Sequence, residues 1–150
     1  MIYRICCVGK IKESYFTELI GKYISNMKRG DSIDICEVPD ERIPSKTSDK
    51  INEMIIKAEA DRLMSVIDKR SYIIALCIDG KKTGKNELKA QIEKAESRGY
   101  SCVTFVIGGS LGLSDEIVKL ANYRMSVSNM TYPHQLIRVA LCESISRLYL

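Results

Sequence analysis

Cys102-Val103-Thr104-Phe105-Val106-Ile107 runs directly into Gly108-Gly109-Ser110-Leu111-Gly112, and the reading of the fold turns on this stretch. A short, nearly unbroken apolar run predicts a strand covered on both faces, as in a parallel sheet. The glycines mark a tight turn at its end. Ser114 then suits a helix N-cap, with Asp115 and Glu116 in the first turn of a short helix. Strand, glycine turn and helix together form the kind of unit whose carboxyl end holds ligands in open α/β sheets. The spacing G-G-x-x-G matches neither the P-loop nor the Rossmann fingerprint, and no lysine follows to meet phosphates. Asp115 and Glu116 would repel an anion, so a nucleotide phosphate is disfavoured. Two readings stay open: a plain tight turn, and a turn that lets a neutral or cationic ligand approach the backbone.

The same alternation extends upstream. Residues 2–8 predict a strand closed by Gly9. Phe16, Leu19, Ile20, Tyr23, Ile24 and Met27 repeat at helical spacing until Gly30-Asp31. Ile33, Ile35 and Val38 predict a second strand stopped by Pro39. A polar loop leads to a helix over about residues 49–68, with Ile56, Ala60, Leu63 and Ile67 on one face. Residues 72–78 predict a buried strand, followed by a basic loop at 79–85 and a polar helix ending near Gly99. Downstream, 123–127 is a last short strand, and 134–150 is helical and apolar nearly all round. The class is α/β with a mostly parallel sheet, in one domain. The strand-end loops at 79–85, 108–114 and 128–134 are where function is expected.

The 150 residues suffice for one core without staples. Hydrophobic residues at 45% and charged residues at 28% are those of a globular chain, and no apolar run is long enough for a bilayer. The N-terminus reads as a strand, not a signal peptide, and the expected location is the cytoplasm. The net charge of +4 permits a nucleic-acid partner without demanding one. Cys6, Cys7, Cys36, Cys77, Cys102 and Cys142 form no C-x-x-C pair, so they read as reduced structural thiols and no metal is expected.

The richest segment is Ser128-Asn129-Met130-Thr131-Tyr132-Pro133-His134-Gln135. Pro133 fits the first turn of the final helix and Thr131 could cap it. Free backbone groups in such a loop can read an adenine edge without charge. His134, the sole histidine, has a structural hydrogen-bonding reading first and a proton-handling one second. Arg138, Glu143 and Arg147 interrupt the apolar helix. Glu143 and Arg147 form a favourable i, i+4 pair, which is either an ordinary surface pair or a way of presenting a guanidinium to a substrate.

Taken jointly, V-I-G-G-S-L-G-L-S and S-N-M-T-Y-P-H-Q-L-I-R-V-A-L-C-E-S-I-S-R resemble the two signature segments of the RlmH family, a SPOUT-class group. V-G-K at 8–10, E-V-P-D at 37–40 and A-L-x-x-x-G-K at 75–81 are also similar to it. The resemblance spans essentially the whole chain. It implies a SPOUT fold with a C-terminal trefoil knot, a homodimer, and S-adenosylmethionine in the knot loops. The implied activity is methylation at N3 of a pseudouridine in helix 69 of 23S rRNA, on ribosomes, with neither DNA nor membrane as partner. The cofactor positions carry over to Leu76, Gly109, Ser128, Asn129, Met130, Thr131, Tyr132 and Pro133, with Gly108 and Gly112 shaping the pocket. His134, Arg138 and Arg147 match family positions in the final helix, Arg147 being the first choice for the target nucleotide. An arginine there would stabilise charge on the base; the proton acceptor stays open, with His134 available. Lys10, Lys12, Lys81, Lys82 and Lys85 make a reasonable rRNA footprint.

The sequence departs from that family in three places. Members continue past the last helix into a short tail ending in a Tyr-His pair and a basic residue, whereas this sequence stops at Leu150. With the motif otherwise intact, truncation or missing order is expected rather than lost activity. Ser146 stands where the family often has Tyr, and Thr83-Gly84-Lys85 where it often has a serine pair. The alternatives are a SPOUT relative acting on another RNA, such as tRNA, a tail-less cofactor- or ribosome-binding protein without activity, and an unrelated α/β protein.

Overall fold

The computed structural model describes residues 1–127 and 134–149, with the side chain of His134 not described. The order is β1 (Ile2–Val8), α1 (Ser14–Ser25), β2 (Ser32–Val38), α2 (Asp49–Val66), β3 (Tyr72–Lys82), α3 (Lys85–Ser97), β4 (Cys102–Ile107), α4 (Asp115–Leu120), β5 (Tyr123–Ser126) and α5 (His134–Ser146). The strands form one sheet in the order β2-β1-β4-β3-β5, and every ladder is parallel. All carboxyl ends therefore open along one edge, where the glycine turn also lies.

The continuous apolar strands follow from two covered faces. Along β1, Tyr3, Ile5 and Cys7 point into a core shared with α1, α3 and α5. Cys6 and Val8 point the other way, into a core with Ala60, Leu63 and Ile67 of the α2 region and Ile117 of α4. β4 repeats this: Val103, Phe105 and Ile107 face the first core and Val106 the second. Thr104, fully buried on the second face, meets the Ser71 hydroxyl at 2.6 Å, so neither hydroxyl is stranded.

Three expectations are corrected. β3 does not stop at residue 78. Its ladder with β5 breaks after Leu76↔Met125 and resumes at Lys81↔Met125 and Lys82↔Ser126, with residues 77–80 looped out. Gly80 permits the return, because a Cβ there would stand 2.8 Å from the Met125 carbonyl carbon. The expected loop at 79–85 thus shrinks to Thr83 and Gly84, whose N–H is accepted by Glu87. On α2 the buried stripe is Ile55, Glu59, Ala60 and Leu63. Ile56 is only half-buried. The final helix ends at Ser146, and three-residue hydrogen bonds from Arg147 and Leu148 tighten the turn after it.

Candidate functional site

Two cavities flank the glycine turn. The first, about 430 Å³, lies at the carboxyl ends of β3, β4 and β5 and is lined by Leu76, Gly108, Gly109, Gly112, Met125 and Val127, among others. Four expected cofactor residues, Leu76, Gly108, Gly109 and Gly112, meet there. Ser128, Asn129, Met130, Thr131, Tyr132 and Pro133 lie outside the described residues.

Two of the glycines at this wall are crowded, Gly108 by backbone and Gly109 by the end of a side chain. A Cβ on Gly108 would sit 2.7 Å from the Gly112 carbonyl carbon, and one on Gly109 2.8 Å from Glu59 Oε1. Gly112 has open space but a φ of +85°, and its N–H closes the turn on the Gly109 carbonyl at 3.0 Å. Ser114 caps α4 by accepting the Ile117 N–H at 3.3 Å, as expected. Asp79 and Asp115 on this lining are balanced by Lys119 and Arg124. The remaining lining is mostly apolar side chain and glycine backbone. Such a pocket suits a ligand of low net charge and offers no phosphate cradle.

Arg138 sits elsewhere. It is 1% exposed; Nη1 donates to Glu37 Oε2 at 2.9 Å and Nη2 to the Val8 carbonyl at 2.6 Å. Glu37 Oε2 also accepts the Ile11 N–H at 2.7 Å, and Gly9 N–H donates to the Val38 carbonyl at 2.8 Å. Arg138 therefore ties α5 to the ends of β1 and β2, which explains why the 8–10 and 37–40 segments belong together.

The second cavity, about 520 Å³, is lined by Arg138, Glu59, Tyr15, Phe16, Lys10 and Lys12 among others, and shares Gly109 and Ser110 with the first. Glu59 carries no mark in the sequence, because one apolar stripe accounts for α2 without it. It is 4% exposed, and its Oε2 accepts the Glu41 N–H at 3.0 Å. Arg62 reinforces this wall by pairing with Glu41 and donating to the Pro39 carbonyl at 2.9 Å. Burial pushes the Glu59 carboxyl up, against the pull of the Glu41 N–H. The folded state then holds that proton more tightly than the unfolded chain does. The Glu59 contribution to stability should fall as pH rises from the ordinary carboxylate range through the raised folded value. Glu59→Gln should flatten that part of a stability–pH profile.

Arg147 is 64% exposed at its side chain and donates to Glu143 Oε1 at 2.6 Å, the expected i, i+4 pair. It lines neither cavity. The final-helix arginines are thus divided between a buried brace and an exposed guanidinium. All six cysteines are free, and burial pushes the Cys6, Cys7 and Cys142 thiols up to about 12, so they are inert packing. Among the described residues no His/Cys/Asp/Glu cluster could hold a metal, and no helix is long and apolar enough to cross a membrane.

A family model described as predicted SPOUT methyltransferase matches residues 1–149. The chain belongs to the SPOUT methyltransferase family. Relatives named ribosomal RNA large subunit methyltransferase H align over nearly the whole chain. The Streptococcus suis protein is 44% identical over 150 residues, all of this chain and 94% of its own. The Oenococcus oeni protein is 44% identical over 147 residues, 98% of this chain and 92% of its own. A solved structure of a probable methylase family protein from Haemophilus influenzae Rd KW20 superposes with a TM-score of 0.56 at 11% identity. It covers 98% of this chain and 66% of that one, a likeness of fold alone. The expected SPOUT class, with its mostly parallel sheet flanked by helices, is therefore shown.

Proposed function

We propose that this chain is an S-adenosylmethionine-dependent ribosomal RNA methyltransferase acting at N3 of a pseudouridine in helix 69 of 23S rRNA. The observation that carries this is the full-length similarity to proteins named ribosomal RNA large subunit methyltransferase H. In this reading the chain is a cytoplasmic homodimer with the trefoil knot of its family, and ribosomes are its partner. Leu136 and Ala140 stay exposed on α5, a strip that a second subunit would cover.

Leu76, Gly108, Gly109 and Gly112 would hold the donor, together with Ser128, Asn129, Met130, Thr131, Tyr132 and Pro133. The crowded glycine backbone and nearly neutral lining fit a ligand that brings a sulfonium and an adenine but no phosphate. S-adenosylmethionine, when bound, supplies a methyl group already activated for displacement. The chain's residues align the acceptor nitrogen and exclude water. Arg147 stabilises the charge that gathers on the base carbonyls as N3 loses its proton, and His134 accepts that proton. Arg138 serves by fixing α5, which begins at His134 and leads into the turn that carries Arg147.

Calorimetry with S-adenosylmethionine and methylation of ribosomes lacking the modification test this reading. Binding with methylation of tRNA only would favour another RNA substrate; binding with no transfer would favour a non-catalytic relative. Arg147→Ala should lower kcat about a hundredfold. Its melting temperature should barely move, because an exposed helix pair contributes only about 0.3–0.5 kcal/mol. An unchanged kcat would remove Arg147 from the chemistry.

A further inference from the structure

We infer that Glu59 is a positioning residue for the methyl donor: its carboxyl props the glycine turn from behind and sets where Gly109 stands in the wall of the first cavity; this rests on the donor reading of the turn residues given above. The juxtaposition is direct. A Cβ on Gly109 would lie 2.8 Å from Glu59 Oε1, 3.1 Å from Oε2 and 3.2 Å from Cδ, so the whole carboxyl group packs against the bare α-carbon of this one residue. Gly109 lines both cavities and Glu59 only the second, which places the carboxyl on the far side of the turn from the first cavity. The turn it presses on is narrow. Gly109 and Gly112 form an antiparallel bridge, closed by the Gly112 N–H on the Gly109 carbonyl. A shift of Gly109 therefore carries the wall of the first cavity with it.

The carboxyl is itself held in place. Oε2 accepts the Glu41 N–H at 3.0 Å, and the Glu41 side chain pairs with Arg62, three residues further along α2. Arg62 also donates to the Pro39 carbonyl at 2.9 Å. Segment 39–41 and α2 thus clamp the side chain between them. Packing alone would not select a glutamate here. The other buried residues of α2 are Ile55, Ala60 and Leu63. A carboxyl that is 4% exposed, with Oε1 unpartnered among the described residues, costs more than an aliphatic side chain of similar reach. What the carboxyl adds is a thin end without methyl groups. It accepts an N–H at one oxygen and still fits against a residue that lacks a Cβ. Sites are held to their working geometry by supporting groups of this kind, which never touch the ligand.

Calorimetric titration of S-adenosylmethionine into the full chain, run as a double-mutant cycle, tests the inference. Glu59→Ala should weaken binding about tenfold by withdrawing the prop. Gly109→Ala should weaken it about tenfold as well, because the new methyl meets a carboxyl that its clamp keeps from swinging aside. In the double variant the methyl enters the space that the carboxyl has left, so the combined loss should stay near tenfold instead of about a hundredfold. Glu59→Gln keeps the reach and offers an amide oxygen to the Glu41 N–H, so it should bind within about twofold of the unsubstituted chain. If Glu59→Ala does not fold, Glu59→Asp, which draws the carboxyl back by one methylene, takes its place in the cycle with the same expectations. A merely structural Glu59 would lower the melting temperature and leave donor affinity unchanged. That result overturns the inference, as do multiplying losses in the double variant or a Glu59→Gln loss as large as that of Glu59→Ala. An unsubstituted chain that binds no S-adenosylmethionine would sink the donor reading itself; normal binding with independent losses would sink only the role of Glu59.

Discussion

Arg138→Ala should lower the unfolding free energy by about 3 kcal/mol, the scale for removing one partner of a buried ion pair. For a chain of this length that is a fall of roughly 6–12 °C in melting temperature. The loss has three parts: Glu37 keeps a charge that is one-third exposed, the Val8 carbonyl loses its donor, and α5 loses its tie to two strand ends. Arg138→Lys should recover little, because one ammonium cannot reproduce the two-pronged contact with Glu37 Oε2 and the Val8 carbonyl. Chemical denaturation of the three proteins provides the check. A loss below about 1 kcal/mol would mean that the brace is not structural, and a guanidinium acting directly on substrate would again be the better account of Arg138.

Gly108→Ala should weaken S-adenosylmethionine binding between about tenfold and a hundredfold, with a cost of about 1–3 kcal/mol in stability. Its Cβ would press on the Gly112 backbone, which has no flexible end to swing aside. The turn must open, and the cavity wall opens with it. Gly112→Ala is the useful contrast. It meets no atom, only an unfavourable φ, and should cost about 1 kcal/mol. Calorimetry on the pair separates crowding from conformation: equal losses in both would make backbone strain, not packing, the reason for the glycines.

Much of the site was legible as pattern. The strand–glycine–helix unit at 102–120 stands where the apolar run, the glycines and Ser114 placed it. That Leu76 would share a cavity with Gly108, Gly109 and Gly112 came from the resemblance, since a mid-strand leucine carries no local mark of ligand contact. The looped-out residues 77–80 were not legible, because the break in the β3 ladder is set by β5, a strand some forty residues away. Glu59 was missed because α2 presented an adequate apolar stripe without it, and nothing local separates a buried glutamate from the exposed Glu53.

By itself the sequence determined the order of strands and helices and that the runs at 72–78 and 102–107 are buried strands, and it directed the search for a site to the strands' carboxyl ends. These follow from periodicity and turn residues, which act over a few neighbours. Only the tertiary structure decided the order β2-β1-β4-β3-β5, the pairing of Arg138 with Glu37 across 101 residues, and the placing of Glu59 behind Gly109. Those depend on which surfaces meet after the chain has packed, and a buried charge takes its meaning from what surrounds it.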